Sequence, residues 1–337
     1  MVVCATGGTI AGSEDGDGQL TPKLGLETLI ANVPGLSDVA RLELVQLRQV
    51  PGSELTLQDV VEMASHFEQP EYDDAAGFVV VQGTDTIEES AFAFDLLWDR
   101  RAPVVVTGAM RPIGAPGSDG PPNLEAAIRV AGSPTARWSG VLVVLNQTVH
   151  AARFASKVHT TRLDAFQSPL RGPVGEVSEG RVVIWATAHR EPPLAIPGGT
   201  EQTPVALRRI TMGEDARGLS DIAECGYRGL VIEAMGAGHV PAALVEELAS
   251  LASSIPVVLT SRTGSGELFH STYGFPGSET DLLKRGLIPA SGLDGPKARV
   301  KLSLLLMAGM RTDDIARAFQ PDRPVGGDGP DDRQAVA

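Results

Sequence analysis

Two short stretches carry residue types that do chemistry. Gly83-Thr84-Asp85-Thr86 follows the apolar run Gly77-Phe78-Val79-Val80-Val81-Gln82. Thr6-Gly7-Gly8-Thr9 follows Val2 to Ala5. The first run is short, apolar and β-branched, which reads as a strand buried on both faces, and the second reads as a short apolar strand. Each therefore ends in a hydroxyl at a tight turn. Ligands bind at the carboxyl ends of the strands in an open α/β sheet. A threonine hydroxyl is a weak nucleophile until a neighbour takes its proton. A lone threonine at such a turn reads more simply as a cap. Two of them, with Asp85 beside one, point to a shared reaction centre if the strands are neighbours.

The elements that must position them follow a β-α rhythm. Thr86 with Glu89 three residues on predicts a capping box. Ile87, Ala91, Phe94 and Trp98 then recur at helical spacing. Strands are expected over 42–50, 103–107 and 140–145, and helices over 24–33, 56–67 and 123–130. Residues 13–22 read as a mobile loop and candidate lid. Pro51-Gly52-Ser53-Glu54 is another polar turn after a strand, and 108–121 a long Gly/Pro loop. Residues 146–170 lose the rhythm but hold Arg153, Lys157, His159 and Arg162. A hairpin is expected around Glu179-Gly180.

Pro/Gly content marks 188–204 as a linker. The rhythm then resumes with strands at 229–233 and 256–260 and helices at 240–253, 294–308 and 312–319. The fold class is α/β: a larger N-terminal, mainly parallel open sheet flanked by helices, and a smaller C-terminal α/β domain. The expected division is 1–187, a linker at 188–204, 205–319, and a disordered tail at 320–337.

The 337 residues are 42% hydrophobic and 21% charged, with a net charge of -14. Such a surface repels phosphate backbones and anionic lipid, which argues against nucleic-acid and membrane partners. Met1 leads directly into a strand with no signal-like segment, which reads as cytoplasmic if Met1 is the start. The two cysteines, Cys4 and Cys225, fall in different expected domains, and no zinc-type spacing or paired-histidine motif occurs. Gly236-Ala237-Gly238 lacks the third glycine of a dinucleotide loop, and no Gly-x-Ser-x-Gly elbow is present.

The segments Ala5-Thr6-Gly7-Gly8-Thr9-Ile10-Ala11-Gly12 and Gln82-Gly83-Thr84-Asp85-Thr86-Ile87-Glu88-Glu89 resemble the two signatures of the bacterial-type L-asparaginase family, which includes glutaminase-asparaginases. The resemblance continues through Pro103 to Pro112, Ser118 to Leu124, Lys157 and Pro296-Lys297-Ala298-Arg299, and spans residues 2 to about 319. It implies hydrolysis of the L-asparagine side-chain amide to L-aspartate and ammonia. Thr6 matches the nucleophile, and Thr84, Asp85 and Lys157 the second catalytic group. Ser53, Glu54, Gly83, Thr84 and Asp85 match the substrate-binding positions. Glu279 falls near a carboxylate supplied by a neighbouring subunit, since the family forms homotetramers of intimate dimers. No metal or organic cofactor is implied.

The residue types suit a zwitterion independently. Its ammonium wants the carboxylates Asp85 and Glu54, and its carboxylate wants Ser53 and backbone N–H groups. Lys157 near Thr84 could pass a proton through that hydroxyl. Two departures stand out. The family's loop tyrosine has no counterpart, Gln19 being the aligned place, with Tyr273 a distant substitute. Ala237 stands where the intersubunit asparagine is expected. The alternatives are a glutaminase-asparaginase of broader amide specificity, an amidase for a larger carrier, and a catalytically weak amino-acid-binding protein.

Overall fold

The computed structural model describes residues 1–7, 12–14, 20–22, 26–31, 33, 36–290 and 292–320. Residues 321–337 of the tail expected at 320–337, and the position of Gln19, lie outside them. In chain order the strands are β1 (Val2–Gly7), β2 (Gly12–Glu14), β3 (Leu20–Pro22), β4 (Glu43–Val50), β5 (Phe78–Val81), β6 (Val104–Thr107), β7 (Val141–Leu145) and β8 (Thr148–Ala151). They continue with β9 (Ser156–Lys157), β10 (Phe166–Gln167), β11 (Gly175–Ser178), β12 (Arg181–Ile184), β13 (Val205–Arg209), β14 (Gly229–Ala234), β15 (Val257–Ser261) and β16 (Ile288–Pro289). The helices are α1 (Leu26–Ala31), α2 (Leu36–Val39), α3 (Leu57–Phe67), α4 (Ile87–Leu97), α5 (Gly120–Gly132), α6 (Asp221–Glu224), α7 (Val245–Ala252), α8 (Glu279–Lys284), α9 (Gly295–Met307) and α10 (Thr312–Ala318).

Eight strands form one sheet in the order β12-β11-β8-β7-β6-β5-β1-β4. The β4-β1-β5-β6-β7 half is parallel, and the rest pairs antiparallel. Alternate side chains serve opposite faces. Val2, Cys4, Phe78, Val80, Val104 and Val106 meet α3 and α4, and Val3, Ala5, Val79, Val81 and Val105 meet α1, α2 and α5. Both faces being buried explains why these strands read as continuous apolar runs. Burial also pushes the Cys4 thiol up to about 12, which leaves it an inert core group.

The parallel half has a topological switch. From β1 the chain moves outward to β4, then returns to place β5 on the other side of β1. The connections leaving β1 and β5 therefore diverge and open a crevice at their carboxyl ends.

The smaller domain is a four-stranded parallel sheet, β13-β14-β15-β16. Helix α9 joins it to the larger one. It packs against α4 on one side and against β13, β14 and β15 on the other, so most of its side chains are buried. Asp294 caps it by accepting the Lys297 N–H at 2.9 Å, and Pro296 lies in its first turn. Its two buried lysines reach the N-terminal part of the chain. Lys297 meets Ser156, and Lys301 meets Glu191, which also holds Arg153.

Residues 188–204 carry no helix or strand, yet they are strapped down. Arg190 pairs with Asp95 at 3.1 Å, and the Leu194 N–H donates to the Leu96 carbonyl at 2.7 Å. In the region read as a mobile loop at 13–22, Gly12–Glu14 pairs antiparallel with Leu20–Pro22, and 15–19 lie outside the described residues.

Candidate active site

Thr6 occupies a register shift at the end of β1. Ala5 pairs with Gln46 of β4, but Gly7 pairs with Val50. Over that span β4 uses four residues where β1 uses two, so the ladder bends there, as at a bulge beside a site. Gly7 makes the bend possible: its φ is 113°, and a Cβ there would lie 2.4 Å from the Val50 carbonyl oxygen. Thr6 is 2% exposed and its hydroxyl donates to the Val81 carbonyl at 3.5 Å. Val81 is the last residue of β5, opposite Ala5. The two threonine-bearing turns thus leave adjacent strands at the same edge.

Residues Thr84–Thr86 form a single 3-10 turn that runs into α4. The expected capping box is absent, because the Thr86 side chain makes no cap hydrogen bond. Its hydroxyl donates instead to the Gly52 carbonyl at 2.9 Å. A β-carbon on Gly52 would stand 3.0 Å from the Gly83 carbonyl carbon, so the two turns touch backbone to backbone. This contact brings Ser53 and Glu54, both exposed, beside Thr84 and Asp85. Neither Gly83 nor Thr86 caps the start of α4. Such uncapped N–H groups at a helix start favour a ligand's carboxylate or a developing oxyanion.

Lys157 arrives from β9, a two-residue strand paired with β10 through Phe166. Its Nζ donates to Thr84 Oγ1 at 2.8 Å and to Asp85 Oδ1 at 2.7 Å. The lysine side chain is only 16% exposed, whereas that of Asp85 is 68% exposed. Lys157 is therefore held in the crevice rather than solvated, and Asp85 presents a carboxylate to whatever enters.

Buried polar groups fix the surrounding loops. Asp119 accepts N–H groups of Met110 at 2.9 Å and Arg111 at 2.8 Å, and an Asn123 amide N–H at 3.0 Å. Asn123 also donates to the Gly108 carbonyl at 3.0 Å and accepts the Asn146 N–H at 2.8 Å. The Ser118–Leu124 segment of the resemblance thus pins the turns after β6 and β7. His150 shares a 2.9 Å hydrogen bond with Ser168, just past β10. Burial pushes its imidazole down to about 4, so it is neutral at neutral pH. His159 caps the Thr161 and Arg162 N–H groups at 3.1 and 3.2 Å.

Thr6, Thr84, Asp85, Lys157, Ser53, Glu54 and Gly83 therefore gather at one edge of the large sheet. Glu279 does not join them within the chain. Its carboxylate is fully buried and accepts the N–H groups of Thr272 at 2.9 Å and Tyr273 at 2.8 Å, with His239 Nε2 at 3.2 Å. Burial would raise this carboxyl, but the Tyr273 and Thr272 N–H groups and His239 outweigh it and hold it below the usual range. Tyr273 packs edge-on against His239 at 4.9 Å and is 43% exposed. Ala237 uses its carbonyl to accept the Phe269 N–H at 3.0 Å. His239 had no pattern in the sequence to mark it. Glu88 stands in the second segment of the resemblance but was given no role there; its Oε2 accepts the Lys157 N–H at 2.9 Å.

The fold and this edge define a two-domain α/β protein with paired hydroxyls and a lysine-carboxylate contact at a sheet switch point. The family model "Asparaginase, N-terminal" matches residues 1–190, and "Glutaminase/Asparaginase C-terminal domain" matches 204–319. A probable L-asparaginase of Deinococcus radiodurans is 36% identical over 95% of this chain and 96% of its own length. A probable periplasmic L-asparaginase of Haemophilus influenzae is 31% identical over 91% of this chain and 88% of its own. The crystal structure of a probable cytoplasmic L-asparaginase from Campylobacter jejuni superposes with a TM-score of 0.85 at 28% identity, covering 95% of this chain and 98% of that one. The chain belongs to the asparaginase family.

Proposed function

We propose that this chain hydrolyses the side-chain amide of L-asparagine to L-aspartate and ammonia. One observation carries the reading: the Lys157 ammonium sits on Thr84 and Asp85, beside the strand end that bears Thr6. The α-ammonium of the substrate is gripped by Asp85 and Glu54. Its α-carboxylate is met by the Ser53 hydroxyl and the N–H groups around Gly83 and Thr84. The side-chain amide then lies over the two threonines.

Thr6 Oγ attacks the amide carbon, and backbone N–H groups at the turns stabilise the oxyanion. The C–N bond breaks as the proton lost by Thr6 reaches the departing nitrogen by way of Thr84. Thr84 passes on its own hydrogen and is resupplied by the Lys157 ammonium, whose amine in turn takes up the proton lost by Thr6. Water then cleaves the threonine ester and restores the hydroxyl. Steady-state ammonia release from L-asparagine tests the reading, and a purified enzyme that releases none contradicts it. L-Glutamine is the second reading, favoured because the matching C-terminal family description names both activities. The ratio of ammonia released from the two amides decides between them.

The reading extends to assembly. Glu279 lies beside exposed Phe269, Tyr273 and Phe275, a face suited to close a neighbouring subunit's site in a homotetramer or homodimer. Light scattering and the activity of Glu279→Ala test this. A cytoplasmic location completes the proposal; the likeness to the protein described as a probable cytoplasmic L-asparaginase of Campylobacter jejuni supports it, and the relative described as a probable periplasmic L-asparaginase of Haemophilus influenzae is the contrasting case. Fractionation of the source cells tests that placement.

A further inference from the structure

We infer that Glu88 and Lys297 are positioning residues for Lys157, so that the C-terminal domain supports the reaction site of its own chain. The inference rests on the amidohydrolase reading, in which Lys157 serves Thr84.

A two-residue strand is a weak platform for a lysine that must meet one hydroxyl oxygen. β9 contains only Ser156 and Lys157, and its partner β10 only Phe166 and Gln167. The structure braces this segment from both sides. From below, Glu88 Oε2 accepts the Lys157 backbone N–H at 2.9 Å. Glu88 lies in the first turn of α4, just after Thr84 and Asp85. One turn of chain therefore carries both groups that the Lys157 head touches and the group that holds its backbone. From the other side, the Lys297 Nζ donates to Ser156 Oγ at 3.2 Å and to Asp294 Oδ2 at 2.8 Å. Ser156 in turn donates to Asp294 Oδ2 at 3.4 Å.

Lys297 is 2% exposed. A buried ammonium is retained at a large desolvation penalty unless paired and hydrogen-bonded. Its charge is also the strongest attraction on the Glu88 carboxyl, which burial lifts above the usual range and Lys297 draws back. The cation thus stands between Asp294 and Glu88 electrostatically, and on the residue next to Lys157 by contact. Simple domain adhesion is already served one turn along α9, where Lys301 pairs with Glu191. Lys297 differs in its target. It clamps Ser156, and with it the starting point of the Lys157 side chain.

Displacing a catalytic group by about 1 Å costs on the order of a hundredfold in rate, with little effect on substrate binding. The test uses Glu88→Ala, Glu88→Gln, Ser156→Ala and Lys297→Met in the full chain, with Lys157→Met as reference. Each is measured for kcat and KM in ammonia release from L-asparagine, with circular dichroism and thermal unfolding to verify folding. Glu88→Ala and Lys297→Met are expected to lose about 10- to 100-fold in kcat, with KM within about threefold of the parent. Glu88→Gln keeps an oxygen for the Lys157 N–H and is expected to recover most of the loss. Ser156→Ala removes a single oxygen, cannot disturb the core, and is expected to lose several-fold. Folded Glu88→Ala and Ser156→Ala variants with parental kcat, beside an inactive Lys157→Met, would overturn this inference alone. Equal losses in Glu88→Gln and Glu88→Ala would also overturn it. Parental turnover in Lys157→Met would remove the amidohydrolase role of Lys157 and the positioning with it.

Discussion

Lys157 donates to Thr84 Oγ1 over 2.8 Å across 73 residues of sequence. A hydroxyl oxygen that accepts from an ammonium directs its own hydrogen elsewhere. In the proposed reaction Thr84 is the donor toward a group in the crevice, with the lysine behind it as the resupply. A positioned proton donor of this kind contributes roughly 10²- to 10⁴-fold to rate. Thr84→Val keeps the shape and removes the oxygen. Its kcat is expected to fall within that range while L-aspartate still binds, as calorimetry would show. Turnover near the parental value would remove Thr84 from the chemistry.

Asp85 has a different share of the work. It pairs with Lys157, yet most of its side chain is exposed to the crevice. In the proposed reaction its other oxygen meets the substrate ammonium, and a hydrogen bond to a charged group is worth about 1.5–3 kcal/mol. Asp85→Asn is therefore expected to raise KM for L-asparagine by at least tenfold. An unchanged KM would move the ammonium site to Glu54 alone.

Gly7 holds the bend that delivers Thr6. With φ at 113° and the Val50 carbonyl at 2.4 Å from any added β-carbon, an alanine must push β1 and β4 apart. Gly7→Ala is expected to lose about 2 kcal/mol or more of stability and most of its activity. A urea titration and an ammonia assay check both.

His150 makes stability depend on pH. Its imidazole titrates near 4 in the fold, against about 6.5 in the unfolded chain. The unfolded state thus binds the extra proton first. This contribution is fully present above about pH 6.5 and is lost as pH falls toward 4. By linkage the loss amounts to about 2 kcal/mol at pH 5. His150→Asn retains an amide for Ser168 and is expected to flatten the decline between pH 7 and 5 by that amount. An unchanged decline in urea midpoints would assign the acid sensitivity elsewhere.

Much of this architecture is legible from residue order. Val79 to Val81 and Val104 to Val106 are buried on both faces, so they stand out as apolar runs. Their ends are where sheets bind ligands, which is how Thr6 and Thr84 came to notice. The local rule failed at Thr86. A capping box was available there, but packing of the Ser53 turn against Gly83 offered the hydroxyl the Gly52 carbonyl instead. Tertiary contacts settled what spacing alone left open. Glu88 and Lys297 lie in segments of the resemblance, but the role of each stayed hidden for a related reason. The Lys297 to Ser156 bond spans 141 residues, and no periodicity announces a pair so far apart. The ribbon that carries Lys157 has two residues per strand, too few for an alternation to show.

In the proposed mechanism Lys157, acting through Thr84, drives amide hydrolysis of L-asparagine. Single-turnover ammonia release by Lys157→Met, beside the parent enzyme and with L-aspartate binding measured on both, tests it most directly. The account predicts rapid release by the parent, a loss of at least about a hundredfold in the variant, and retained aspartate binding by both. Equal release by the two proteins, or none from the parent, would contradict it.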